Sequence, residues 1–290
     1  MCALQTACAV SGISPGAEKH SLAGRVWDLR GEREIPANAL LTRAAISRFV
    51  ILGETHDNAE HHALQAEILS AMLQAGRSPV LAMEQFDHEH QAALDAARLR
   101  GERDPERVAD AGGFDRKGWN WPAYRPLVEL AIAHDLPIIA ANTSRQEARA
   151  IARAGRPADG LGSATPELRA ALERDLVEGH CGKRPEPATL AGMVEAQRAR
   201  DARMAAALEG LGERGAVLIA GAGHARRDRG APVYLSKAAQ AQLLAVAFVE
   251  IEAGRNELRA YAGERLAASY DLVQFTARAP REDPCGAGSR

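Results

Sequence analysis

The chain has 290 residues, a formal net charge of -2 and 46% hydrophobic residues, enough apolar material for one large domain with a sizeable core. No basic stripe is interleaved with aromatics, which argues against nucleic acid as a partner. No apolar run reaches the roughly 18 residues that a membrane span needs, so no transmembrane segment is expected.

The first ten residues, MCALQTACAV, lack a basic n-region and hold too short an apolar stretch for a secretory signal. Residues 1–24 read as a weakly ordered segment, Arg25–Leu29 as a short strand and Asn38–Ser47 as a short helix. Phe49 to Leu52 is a continuous apolar run, which suits a strand buried on both faces, and Gly53 lets the backbone turn where the strand stops. Glu54 and His56 then sit at the carboxyl end of that strand, with Asp57 or Asn58 as N-cap of the next helix. That helix, Ala59–Ala75, carries Leu64, Ile68, Met72 and Leu73 on one face and stops at Gly76.

Pro79–Met83 is a second buried strand, ending on Glu84, and Asp87–Leu99 is a charged helix. A looser stretch with Trp119 and Trp121 leads into the helix Ala123–Asp135. Pro137–Ala141 is a third strand, ending on Asn142. Residues 144–212 are mostly helical, broken at Gly155–Gly162 and Gly182–Pro187, and read as a helical insertion or lid. Ala216–Ala220 is a fourth strand that runs into Gly221-Ala222-Gly223-His224. Val246–Ile251 and Asp271–Phe275 are late strands. The alternation predicts an α/β fold, a mostly parallel sheet with helices on both faces. Right-handed crossovers bring the strand ends to one edge, where open α/β sheets bind ligands.

Glu54, His56, Glu84, Asn142 and His224 are thereby delivered to one edge. Two carboxylates and two imidazoles are a common ligand set for Zn, Mn or Fe. A water on such an ion would have a lowered pKa and could attack an ester or amide. The plainer alternative has Glu54 and Glu84 capping helices and His224 as a satisfied buried group. His61 is in register with Leu64 and Ile68. It is a further ligand, a partner of the ligands or a proton shuttle, or else a half-buried histidine bonded to a backbone carbonyl. His62 turns toward solvent, and His88 and His90 read as surface residues. In the helix 189–211, Gln197 and Asp201 fall within the apolar stripe. A buried Asp needs a cation or donors, and Arg226, Arg227 or Arg229 could supply one. That helix either covers the site or carries a structural ion pair. Four cysteines, Cys2, Cys8, Cys181 and Cys285, show no metal-type spacing, and two could pair in an oxidising compartment.

The segments GETHDNAEHH, AMEQF, EGHCG, AQRARDARMA, GAGHARRDRGAPVYL and YDLVQFTARAPREDPC, taken in order from Phe49 to Cys285, resemble the ChaN-like haem-binding uptake family of the Tiki superfamily. The superfamily resemblance implies two G-x-x-H motifs with an acidic residue between them, here Gly53–His56, Gly221–His224 and Glu84. It also implies one α/β domain over residues 25–285, with 144–212 as its helical insertion and 286–290 as a tail. Some branches are metal-dependent hydrolases. The ChaN-like branch consists of iron-regulated lipoproteins that bind haem, some as dimers with haem at the subunit contact. The resemblance therefore implies haem as ligand and a periplasmic or membrane-anchored location, although no lipoprotein signal is visible in this chain. The alternative is a metal-dependent esterase or protease in which Glu54, His56, Glu84 and His224 hold the ion or act as base, backed by His61, Gln197, Asp201 and Arg226. Cys181 and Cys285 lie in matched segments and Cys2 and Cys8 do not, so 181 and 285 are expected to pair. Tyr, His, Met and Cys are all present as axial haem ligands. A haem site needs apolar surface, and Trp119, Trp121 and Tyr124 either form one wall of it or pack beneath their loop.

Overall fold

The structure, a computed structural model, describes residues 20–210, 214–261, 266, 268–282 and 285–286. The expectations for residues 1–19, with Cys2 and Cys8, for the end of the helical stretch at 211–212 and for 287–290 lie outside the described residues. Eight strands form one sheet: β1 Val26–Asp28, β2 Arg33–Ile35, β3 Phe49–Glu54, β4 Val80–Asp87, β5 Ile138–Asn142, β6 Ala216–Gly221, β7 Leu243–Glu250 and β8 Leu272–Thr276. Their order is β2-β1-β8-β7-β3-β6-β4-β5.

The sheet is mixed. Every neighbouring pair from β8 through β5 is parallel, but β1 runs antiparallel to both β2 and β8. β2 was not expected from the sequence. The link from β1 to β2 is only four residues, too short for the crossover a parallel pair requires, so a hairpin is the available connection.

The helices are α1 Ala37–Ile46, α2 Ala59–Gln74, α3 Gln91–Leu99, α4 Pro105–Ala111, α5 Trp121–Ala133, α6 Arg145–Ala154, α7 Pro166–Gly179 and α8 Pro187–Glu209. Short helices at Lys237–Gln240 and Leu258–Tyr261 follow. α4 lies in the stretch read as loose. Asp104 caps it through the Glu106 N–H, and Pro105 supplies a preset first turn.

Successive strand side chains alternate between two cores. Val50, Leu52, Val217 and Ile219 pack against α1, α2 and α5, while Phe49, Ile51, Ala216 and Leu218 pack against Met204, Ala205 and Leu208 of α8. Both faces are thus buried, which is why β3 and β6 read as unbroken apolar runs.

Two glycines are required by close approach. Gly53 lies inside β3 and makes no turn; a Cβ there would stand 2.8 Å from Ala225 Cβ and 2.9 Å from Ala222 Cα. Gly221, at the end of β6, admits the His56 ring where a Cβ would be 2.9 Å from His56 Cε1.

Asn58 caps α2, accepting from the Glu60 and His61 N–H groups. The same side chain donates to Ala277 O and to Glu250 Oε1, each at 2.8 Å. Arg281 pairs with Asp57 and Glu250. The segment after β8 therefore lies across the start of α2, directly beyond His56. Cys285 then forms a disulfide with Cys181 in the turn between α7 and α8, with Cα atoms 5.3 Å apart and a sequence separation of 104. Removing this cross-link frees a long loop in the unfolded chain. The double variant Cys181→Ser/Cys285→Ser is expected to lose about 2–4 kcal/mol in urea denaturation. An unchanged midpoint would count against a stabilising bond.

Candidate functional site

The carboxyl ends of β3, β4 and β6 carry a buried polar cluster, which α2, α5 and α8 complete. Its hub is Glu54. Oε1 accepts from His56 Nδ1 at 2.9 Å, from the Tyr124 hydroxyl and from Gln85 Nε2 at 3.4 Å. Oε2 accepts from Gln65 Nε2 at 2.7 Å and faces His62 Nδ1 at 3.2 Å. Burial favours the neutral acid here, but His56 and His62 outweigh it and hold the carboxyl well below the usual range.

Glu84 stands across the strand end. It lies within β4, not after it, because β4 continues to Asp87. Its Oε2 accepts the Gly221 N–H at 2.7 Å and its Oε1 faces His224 Nε2 at 3.4 Å. His224 Nδ1 in turn reaches Asp201 Oδ1 at 2.7 Å, and the Gln197 amide is 3.2 Å from the same nitrogen. Both ring nitrogens of His224 therefore face carboxylates, which suits the imidazolium. Burial opposes that charge, but Glu84 and Asp201 push the pKa up to about 10. Burial raises the Asp201 pKa against the pull of His224, and its buried Oδ2 has no hydrogen-bond partner.

His56 is the half-exposed member, with its ring edge-on to Trp119 at 4.8 Å. Burial lowers its pKa, while Glu54 and Glu84 raise it, and the carboxylates prevail. His56 and Glu84 flank the bare Cα of Gly221, whose absent Cβ would be 3.0 Å from His56 Nε2 and 3.7 Å from Glu84 Oε2. The four strand-end residues are thus brought together as two histidine–carboxylate pairs, not as a common ligand shell. A carboxylate has about four acceptor sites, and the five donors around Glu54 fill them. An ion entering there would have to displace those donors. Among the described residues, no group of three or more His, Cys, Asp or Glu side chains is placed to hold a metal ion.

Other expected partners fall elsewhere. His61 is neither a ligand nor bonded to a carbonyl: Nδ1 accepts the Thr55 N–H at 2.8 Å, and Nε2–H then donates to Thr276 Oγ1 at 2.8 Å. Burial lowers its pKa to about 3, so it is a neutral structural histidine. Asn142 caps its own chain, its Oδ1 accepting the Thr143 N–H. Arg226 pairs with Asp228 and lies over Tyr270, so the cation beside Asp201 is His224. Trp121 and Tyr124 are buried and pack around Phe114, leaving Trp119 as the aromatic beside His56.

Four members of the cluster, His62, Gln65, Gln85 and Tyr124, were not read as site residues from the sequence. His62 is buried, not solvated, and donates through Nε2 to His56 O at 3.1 Å. Gln65 and Tyr124 are wholly buried against Glu54. A signal existed: His61, Gln65, Ile68 and Met72 form an inward helical stripe, rotated slightly from the one through Leu64 and Leu73. Polar residues on such a stripe need partners, and the strand-end carboxylate is the nearest supply.

A parallel-centred sheet with a histidine–carboxylate cluster at its carboxyl edge defines an α/β protein with a candidate site at that edge. The model of the haem-binding uptake family of the Tiki superfamily, ChaN, matches residues 40–235, and the chain belongs to that family. Among solved structures, ChaN of Campylobacter jejuni with cofacially bound haem is similar at 23% identity and a TM-score of 0.71, over 86% of this chain and 95% of that one. A protein from Bacillus cereus is similar at 10% identity and a TM-score of 0.51, over 82% and 90% of the two chains. An erythromycin esterase mutant in its open conformation is similar at 11% identity and a TM-score of 0.50, over 91% and 99%. At these identities the likenesses define the fold. None of the curated proteins matches the chain.

Proposed function

We propose that this protein binds haem in iron uptake. Membership of the haem-binding uptake family over residues 40–235 carries the reading. ChaN of Campylobacter jejuni with cofacially bound haem adds a precedent on the same fold. The Cys181–Cys285 disulfide favours an oxidising compartment, the periplasm or an anchored position facing it. It also removes both thiols from the axial candidates, and Tyr124 is removed by its bond to Glu54. No helix of the described residues is long and apolar enough to cross a membrane.

Haemin titration followed in the Soret region tests this. Wild type is expected to bind with a shifted band. The His56→Ala/His224→Ala variant is expected to keep most of that binding when the iron ligand lies outside the cluster. Absence of a shift with wild type would end the haem reading.

The geometry of the cluster favours a second reading, an esterase or amidase that works by acid–base chemistry. Glu54 accepts the Nδ1–H of His56, which leaves Nε2 as the base for a water. The proton moves from water to Nε2 as the hydroxide oxygen attacks the carbonyl. The protonated His56 then returns that proton from Nε2 to the leaving group while Glu54 holds its Nδ1–H, and His224, with both ring nitrogens facing carboxylates, stays behind as a fixed positive charge. On this reading the same double variant loses hydrolysis entirely in an ester screen.

A further inference from the structure

A cleft of about 640 Å³ lies between α6, the loop after it and α8, within the range of small-molecule sites. We propose that it binds a short apolar peptide of about four residues with both termini free. The site is separate from the polar cluster and does not depend on the haem reading. Asp201 of α8 bonds to His224, while the adjacent Ala202 and Arg203 line the cleft.

The lining is charge-balanced. Two acids, Glu147 and Asp159, stand against two guanidiniums, Arg156 and Arg203, so the cleft suits a ligand without net charge. These charges are divided between its ends: Glu147 is in the first turn of α6, and Arg156 and Asp159 follow that helix. At the first end, Glu147 Oε2 is buried and has no hydrogen-bond partner. The cations beside Glu147 are loosely placed, His88 Nδ1 at 3.6 Å from Oε2 and Arg203 at 3.9 Å from Oε1. A buried acceptor without a donor is costly, and a ligand ammonium supplies three donors. At the other end Arg156 holds Asp159 at 3.5 Å, which leaves guanidinium donors for a ligand carboxylate.

The spacing sets the length of the ligand. Arg156 comes nine positions after Glu147, roughly 13 Å at the helical rise of 1.5 Å per residue. An extended chain covers at most about 3.3–3.6 Å per residue, so about four residues join an ammonium at one end to a carboxylate at the other.

Between the ends the walls are apolar. Ala150, Ile151 and Ala154 of α6 line one side, and Ala199, Ala202 and Ala206 of α8 line the other. Alanines on both helices leave the space between them to the side chains of a ligand. Ala150 and Ala154 are exposed, so the cleft is open to solvent, and peptide amide groups lying along it keep their water.

Isothermal titration calorimetry of the full chain with the peptide Ala-Leu-Leu-Ala, and with its N-acetylated and C-amidated forms, tests this. The free peptide is expected to bind saturably with a Kd below about 1 mM, and each blocked form at least about tenfold more weakly. Glu147→Gln should weaken the free peptide about tenfold and leave the acetylated one unchanged, because only the first presents an ammonium. Arg156→Gln should weaken the free peptide and leave the amidated one unchanged. Ala202→Trp, which fills the cleft from a half-buried position, should weaken all three. Circular dichroism and the urea midpoint check its fold, and Ala158→Trp in the loop replaces it if it fails to fold. No saturable heat from the free peptide at about 5 mM overturns the proposal. So does equal affinity for free and acetylated peptide, and so does binding that a folded tryptophan variant leaves unchanged.

Discussion

Replacing Glu54 with alanine is expected to cost about 3–5 kcal/mol of stability, the range for removing one partner from a buried charge pair. Glu54 is 2% exposed and is the common acceptor for His56, His62, Gln65, Gln85 and Tyr124. Its loss strands donors from β4, α2 and α5 at once, in a place where water cannot replace it. Glu54→Gln keeps the volume but puts an amide N–H₂ among donors, so it should recover only part of the loss. Urea denaturation of the three proteins measures this. A Glu54→Ala midpoint within error of wild type would mean the hub is not what holds the strand ends together.

Stability should also fall with rising pH through a window set by His224. Its pKa is pushed up to about 10 in the folded chain and returns to about 6.5 on unfolding. The folded state binds that proton more tightly, so the contribution is complete below about pH 6.5 and disappears as the pH climbs through about 10. Glu54 acts with the opposite sign. Its carboxyl is held low in the folded chain, so its contribution is present above the ordinary carboxylate range and lost as pH falls. His56 and His62 are also raised and share the alkaline loss, so the informative quantity is the difference from a His224→Gln variant. Denaturation series at about pH 6 to 10 should show a steep decline for wild type and a shallower one for the variant. Parallel curves would show that His224 is not charged between Glu84 and Asp201.

The two predictions act on different halves of the cluster. Glu54 is a hub of neutral and charged donors and works chiefly through packing of polar groups. His224 is an ion between two acids, and its contribution is pH-dependent by construction. If the acid–base reading holds, both halves also appear in the rate. If only haem carriage holds, the cluster is a structural clasp and the haemin titration is indifferent to it.

Much of this was determined by the sequence alone. The apolar runs at Phe49, Val80, Ile138 and Ala216 specify strands because both of their faces are buried, and the strand–helix alternation then places Glu54, His56, Glu84 and His224 at one edge. Asn58 as a cap and Gly76 as a stop are local chemistry, readable from the residue itself. What only the tertiary structure decided is who pairs with whom. Hydrogen bonds reach about 3 Å, while His62, Gln65 and Tyr124 meet Glu54 only after α2 and α5 have packed on one face of the sheet. The buried face of α2 is rotated only slightly from the stripe through Leu64 and Leu73, yet that is enough to take His62 from solvent to the hub, and helical periodicity alone does not resolve so small an angle. Likewise Asp201 could have met any of three nearby arginines, and the packing of α8 over β6 brought it to His224. Local propensity acts over a few residues, whereas the choice of partner for a buried charge is made by the whole core at once.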